Sequence, residues 1–329
     1  MTTKIGLIGC GGIAEEHIKG YLKVVEDARI TAVCDVFEEH ARRRSAQVGG
    51  ARIFSDYRAM LAWSEVDAVD ICLPHHLHKD AIVAAASAGK HILCEKPLCL
   101  TLEEAVSVRR AVAENEVTLM CAHNQLFVPA VQRARQLLDE EILGKVYALR
   151  TTDAFYHDLK LENIGWRGQR ELIGGGELID TGYHPSYLLL YLAGSRPVEV
   201  TAMISNHRLH FMDGEDSTQM LVRFADGSVG NIVTSWAYDL TANTERFSIM
   251  AERGNMYCLG DGLYYKVHGS EPVALKFRQV NTYEEEIIAF IACLHAGYKP
   301  IHTEIDGSNV LKMILGAYQS EAEKRTVLL

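Results

Sequence analysis

The feature that most constrains this chain is a lysine at the end of a short apolar run, His91-Ile92-Leu93-Cys94-Glu95-Lys96-Pro97. A buried strand that stops at Lys-Pro holds its ammonium at the carboxyl edge of a parallel sheet, where such sheets bind ligands. Pro97 cannot continue a hydrogen-bonded ladder and restricts the residue before it, so Lys96 sits on a stiff backbone. A lysine so placed can touch the reacting end of a nicotinamide and the hydroxyl of its substrate.

The start of the chain supplies a place for that nicotinamide. Lys4–Ile8 is an apolar run that ends in Gly9-Cys10-Gly11-Gly12-Ile13-Ala14, and a helical pattern follows to Val25. This is strand, tight turn and helix with the spacing G-x-G-x-x-A. Gly9 permits the turn, Gly11 lets the backbone approach a pyrophosphate, and Ala14 packs helix closely on strand. Alone, such a triplet can be no more than a tight turn. Here the second apolar run, Ile30–Cys34, ends at Asp35, 21 residues beyond Ala14. That is where a carboxylate bonds the ribose hydroxyls of a dinucleotide. Asp35 favours NAD, because a carboxylate repels a 2′-phosphate. Arg42, Arg43 and Arg44 keep NADP as the second option, although a solvated helix face is the commoner fate of such a charge run.

The chain has 329 residues, which suits two domains, and its 48% hydrophobic content suits a substantial core. A formal charge of −10 argues against a nucleic-acid partner. No apolar run has the length of a membrane span, and Met1-Thr2-Thr3-Lys4 runs straight into the first strand without a signal peptide. The eight cysteines show no C-x-x-C spacing and sit in core-like contexts, so reduced thiols in a cytoplasmic protein are expected.

Two halves differ in period. Up to about residue 123, short apolar runs alternate with helical stretches, which implies βαβ units in a doubly wound parallel sheet of the Rossmann type. From residue 124 to 329 the strand-like segments Val146–Thr152, Val198–Ile204, Gln219–Phe224, Ser228–Trp236, Phe247–Ala251 and Met256–Leu259 dominate. Turn pairs such as Asp226-Gly227 and Asp261-Gly262 join several of them. An α/β first domain and an α+β second domain on a large open, mainly antiparallel sheet are predicted. The second domain would bind substrate and mediate oligomers, with the closing helix free to pack back on the first. A sheet with one face bare of helices suits pairing with another subunit, as a homodimer or homotetramer.

The second half carries its own chemistry in Gly174-Gly175-Gly176-Glu177-Leu178-Ile179-Asp180-Thr181-Gly182-Tyr183-His184. A helix over Gly176–Leu192 would project Asp180 and His184, four apart, from one face. A carboxylate beside an imidazole raises its proton affinity and orients it, as a general acid/base requires. An Asp–His pair bracing a helix is the bland alternative.

Taken together, the glycine turn, Glu95-Lys96-Pro97 and the glycine-rich stretch with Asp180 and His184 resemble the Gfo/Idh/MocA oxidoreductases over essentially the whole chain. That resemblance implies a catalytic set of Lys96, Asp180 and His184 acting on a hydroxyl or carbonyl of a sugar, cyclitol or related polyol. It also implies that Pro74 and His78 line the cofactor, with Asn124 a pocket residue. His75 stands where relatives often have asparagine. The cofactor set then reads Gly9, Cys10, Gly11, Gly12, Ile13, Asp35, Leu73, Pro74, His75, His78, Glu95, Lys96 and Asn124. Trp166 and Arg167 match a pair that in relatives lies near nicotinamide or substrate. His157, with Asp158, could hold substrate hydroxyls or be loop surface, and Arg167 could clamp an acidic group or form an ion pair. No metal is expected, since His75, His76, His78 and Asp80 match no common zinc spacing. Two other functions stay open at this level. One is an NAD-dependent glycosidase working by transient oxidation and elimination. The other is an NAD-binding sensor without turnover.

Overall fold

The computed structural model describes residues 2–240 and 244–329. Its first strands are β1 (Thr3–Ile8), β2 (Ala28–Cys34), β3 (Arg52–Phe54), β4 (Ala68–Ile71), β5 (His91–Glu95) and β6 (Leu119–Ala122). Between them run helices α1 (Ile13–Tyr21), α2 (Glu38–Gln47), α3 (Tyr57–Leu61), α4 (His78–Ser87) and α5 (Leu102–Glu114). Then follow α6 (Pro129–Asp139), β7 (Val146–Ala154), α7 (Arg170–Ile173), α8 (Glu177–Asp180) and α9 (Tyr183–Ala193). Strands β8 (Pro197–Ser205), β9 (Ser217–Phe224), β10 (Val229–Ser235), β11 (Phe247–Ala251), β12 (Gly254–Leu259), β13 (Gly262–Val267) and β14 (Val273–Lys276) come next. Helices α10 (Thr282–Ala296) and α11 (Glu304–Glu323) and the short β15 (Val327–Leu328) end the chain.

Two compact units result. Residues 1–124 and 281–308 form the first; residues 125–280 and 309–329 form the second. In the first, all six strands are parallel in the order β3-β2-β1-β4-β5-β6. Strand order reverses beside β1, which places the crevice for a ligand at the carboxyl ends of β1 and β4. β1 and β4 are buried on both faces, as strands covered by helices are, and Asp70 is the charged residue within β4. Ile5, Leu7, Ile8, Val69 and Ile71 are all essentially inaccessible, and each such side chain contributes about 1.5–3 kcal/mol. Thr101 and Glu104 close a reciprocal capping box at the start of α5. Helix α10 packs on α1, where a Cβ on Gly20 would come within 2.7 Å of the Ile287 side chain.

The second unit is a nine-stranded sheet ordered β14-β13-β12-β11-β7-β10-β9-β8-β15. It is antiparallel except at β7 and β10. Helix α9 covers one face, and Gly230 of β10 leaves room for Leu189. On β9 the alternation is clean: Met220, Val222 and Phe224 are buried, whereas Gln219, Leu221 and Arg223 are exposed.

Several elements differ from expectation. The short edge strand β3, and β13 to β15, carry no long apolar run to mark them; β3 is exposed along most of its length. The single helix expected over Gly176–Leu192 is divided at Thr181 and Gly182. There the Gly182 N–H reaches the Glu177 carbonyl, five residues back, and the His184 N–H reaches Thr181. A wide turn followed by a tight one replaces the regular period, a device frequent at functional sites. Gly182 suits it, since a Cβ there would lie 2.7 Å from the Leu178 carbonyl oxygen.

The α1–α10 contact predicts that Gly20→Val overpacks the helix pair. Urea denaturation should show a loss of about 1–3 kcal/mol; an unchanged midpoint would mean that α10 yields without strain.

Candidate active site

In the first unit the glycine turn is built by crowding on one side and openness on the other. Gly9 has φ 91°, and a Cβ there would lie 2.7 Å from the Cys72 carbonyl carbon. Gly11 and Gly12 face open space, with nothing within 4 Å of a Cβ at either. Helix α1 has no side-chain cap at Gly12, so its first N–H groups are left to water or an anion. The Cys10 N–H donates to Asp35 Oδ2 at 2.8 Å, and the Phe37 N–H donates to Oδ1 at 2.8 Å. Each oxygen keeps a lone pair for a hydroxyl. This cradle fits a dinucleotide: pyrophosphate over Gly11 and Gly12 at the start of α1, ribose at Asp35.

The three arginines part ways. Arg42 pairs with Glu38 at 2.7 Å on the surface, and Arg43 is exposed. Arg44 is buried instead, contrary to a solvated helix face. It donates to the Cys10 and Gly11 carbonyls at 3.4 and 2.6 Å and to Glu15 at 2.9 Å. It braces the turn from beneath and, by its hydrogen bond and charge, holds the Glu15 carboxyl below its usual range.

At the carboxyl ends of β4 and β5, His78 links two of the predicted segments. Its ring is buried, with Nδ1 2.6 Å from the Pro97 carbonyl and Nε2 2.8 Å from the Leu73 carbonyl. Burial lowers its proton affinity despite these two acceptors. Lys96 is half-buried, precedes a cis peptide to Pro97, and gives its backbone N–H to Glu95 Oε2 at 3.0 Å. His75 is buried, its ring 6.0 Å from that of His78. Asn124 donates to Thr282 Oγ1 at 3.1 Å. Among the described residues, the donor atoms spaced closely enough for a metal are those of His17, Asp70 and Cys72, not those of His75, His76 and Asp80.

In the second unit, a cleft of about 390 Å³ is lined by His157, Asp158, Asn163, Arg167, Asp180 and Trp236, among others. Arg167 Nε donates to Asp180 Oδ2 at 2.7 Å, and its guanidinium lies 4.5 Å from the Trp166 ring centre. Burial, with Arg167 and Arg208 nearby, lowers the proton affinity of His157 against the pull of Asp180. His184 Nδ1 lies 2.8 Å from the Tyr187 hydroxyl, which also accepts the Gln125 N–H at 3.1 Å. Tyr187 belongs to no motif; only its i+3 spacing from His184 could have marked it.

Glu177 also escapes sequence reasoning, although a carboxylate inside Gly176–Ile179 is a signal in itself. It is wholly buried. Thr234 donates to its Oε1, and Oε2 has no partner. Burial, reinforced by Glu215, Asp153 and Asp180, raises its carboxyl well above the usual range despite the Thr234 bond. The folded state therefore keeps a proton that the unfolded chain releases above about pH 4.3, so this site loses stability as pH rises beyond that value. Glu177→Gln should raise the urea midpoint at neutral pH and leave it nearly unchanged near pH 4. Parallel pH curves for the two proteins would refute a protonated Glu177.

Two family models match the chain. Residues 3–123 match "Oxidoreductase family, NAD-binding Rossmann fold", and residues 131–257 match the Gfo/Idh/MocA C-terminal domain. The chain is 26% identical to myo-inositol 2-dehydrogenase of Thermotoga maritima, covering 99% of this chain and 98% of that one. It is 28% identical to inositol 2-dehydrogenase of Rhizobium meliloti, covering 99% of each. Its fold matches a levoglucosan dehydrogenase solved with NADH and levoglucosan at a TM-score of 0.91 and 23% identity, over 100% of this chain and 99% of that chain. With both of its halves matched, the chain belongs to the Gfo/Idh/MocA family of NAD-binding oxidoreductases.

Proposed function

We propose that the protein is an NAD-dependent dehydrogenase that oxidises a hydroxyl-bearing carbon of a sugar, cyclitol or related polyol, or reduces its keto form. The observation that carries this reading is the open glycine cradle at α1, with Asp35 beside it, in the same parallel sheet whose β5 runs out at Lys96. The full-length similarity to inositol dehydrogenases supports the substrate class.

Nicotinamide, when bound, supplies the hydride acceptor or donor. The chain's own residues handle the proton and the oxygen. Lys96 donates a hydrogen bond to the reacting oxygen and holds the charge that develops there. His184 takes the hydroxyl proton at Nε2 while its Nδ1–H donates to Tyr187 Oη, which keeps the ring oriented. Asp180, itself oriented by Arg167, stabilises the imidazolium. His157, Trp166 and Arg167 contact the substrate. The cofactor set is the one read from the sequence, with Arg44 supporting its turn from beneath.

Asp35 supports NAD over NADP, with two arginines left at the surface to argue otherwise, Arg42 paired with Glu38 and Arg43 exposed. The eight buried, unbridged cysteines support a cytoplasmic setting. The open sheet face supports a homodimer or homotetramer: Leu221, Met203 and Met250 lie on it exposed, and Tyr257 stacks on Tyr264 at 5.0 Å.

Absorbance of reduced nicotinamide, followed with NAD and then NADP against sugars, cyclitols and their keto forms, tests the reading. Sustained cofactor turnover with a polyol is expected; NAD binding with no net redox change would point to a redox-neutral cleavage or a sensor. Lys96→Ala should lower turnover by about 10²–10⁴-fold with NAD affinity nearly unchanged, and turnover near wild type would remove Lys96 from the mechanism. Light scattering should give a multiple of 36.6 kDa. Paired Met203→Glu and Leu221→Glu substitutions should reduce it to the monomer, unless subunits meet elsewhere.

A further inference from the structure

Inside the first unit, next to the backbone of Lys96, lies a buried polar cluster in which only Glu95 belongs to one of the motifs. His17 of α1 is wholly buried. Its Nδ1 is 2.9 and 3.1 Å from the two oxygens of Asp70 on β4, and its Nε2 is 3.0 Å from Glu95 Oε1 at the end of β5. A neutral imidazole has a single N–H, so one ring nitrogen would aim a lone pair at a carboxylate oxygen. A doubly protonated ring donates to both. The second Glu95 oxygen, Oε2, accepts the Lys96 N–H at 3.0 Å. An unbroken line of contacts thus joins Asp70, His17, Glu95 and the backbone of Lys96.

We propose that His17 is a positioning residue for Lys96: an imidazolium clamped between Asp70 and Glu95 that holds the Glu95 carboxylate on the Lys96 amide. Its catalytic consequence rests on the dehydrogenase reading of Lys96 given above.

The groups that face the ring agree with this assignment. These are Asp70 on β4, Cys72 just beyond it, Glu95 on β5, and Tyr283 and Glu286 on α10, while Tyr21 of α1 stands beside Asp70 and Cys72. Cys72 Sγ lies 3.7 Å from Nδ1, and the Tyr283 ring centre lies 6.0 Å from that of His17. Burial opposes a charged ring, but the charge and hydrogen bond of Asp70, with the hydrogen bond to Cys72, outweigh it and lift His17 well above the usual histidine range. Burial pushes the Cys72 thiol up and the Tyr283 phenol up to about 12, so both stay neutral. Glu286 is wholly buried, neither of its oxygens has a partner, and burial keeps it protonated. It therefore does not compete for the imidazolium. With a raised folded-state value, the clamp is at full strength below about pH 6.5 and is lost only as pH climbs through that raised value.

The test begins on cofactor-free protein, with side-chain ¹⁵N resonances of His17 recorded from about pH 6 to about pH 9. Protons on both ring nitrogens at neutral pH are expected; a ring with one bare nitrogen there overturns the proposal. His17→Gln should shift the Lys96 amide resonance and lower kcat by about 10²-fold, with KM and NAD affinity within a few-fold. A folded variant with both the amide and kcat unmoved also overturns it. Should His17→Gln fail to fold, Asp70→Asn serves in its place. It should strip a proton from the ring near neutral pH and bring the alkaline fall of kcat to lower pH, and an unaltered ring refutes the clamp. If wild-type protein turns over no polyol, the dehydrogenase reading fails, while the ring and amide resonances still decide the clamp.

Discussion

One hydrogen bond, from the Cys10 N–H to Asp35, ties the turn after β1 to the end of β2, and the nucleotide end of the first unit is organised around it. Gly9 can take its left-handed conformation only as glycine, because the Cys72 backbone occupies the space where a Cβ would stand. Arg44 grips the Cys10 and Gly11 carbonyls from α2. Three strands and two helices thus converge on four residues of turn. Each of those contacts is to backbone, so the shape of the cradle is set before any ligand arrives. The buried guanidinium also places positive charge beneath the spot where phosphates would lie, and its pairing with Glu15 limits repulsion from that carboxylate.

In the second unit, environment separates two acids that stand three residues apart. Glu177 is sealed among Thr234, Glu215 and Asp153 and remains a neutral acid. Asp180, at the other end of α8, opens on the cleft and is paired with Arg167. Burial at one carboxyl group and an ion pair at the other thus give two neighbouring acids unlike surroundings. The wide turn at Thr181 and Gly182 then resets the helical phase before His184.

The parallel sheet, the glycine turn and the separate second sheet were legible in the chain because each rests on local pattern: apolar runs, turn chemistry and spacing. What stayed hidden depends on partners distant in sequence. Arg44 looks like one of three surface arginines until β1 and α2 are brought together. His17 reads as a helix residue of no special note until Asp70 and Glu95, 53 and 78 residues away, close on it. The strands β13 to β15 draw their identity from pairing rather than from apolar content, and β3 is too short to show a period. The break between α8 and α9 reflects crowding at Gly182, which a helical pattern of side chains does not reveal.

The first unit is discontinuous along the chain, since α10 joins α1 only after residues 125–280 have been spent on the second unit. During synthesis, roughly 160 residues separate the two pieces, or about 10–30 s at 5–20 residues per second. Through that interval α1 presents Gly20 and Tyr21 without the helix that covers them, and the His17 cluster lacks the wall that Tyr283 and Glu286 provide. The second unit waits longer still, because β8 pairs with β15, which follows α11 in the chain. Neither unit closes until segments made long after its first strands have arrived, so each holds unfinished surface while the other is being made.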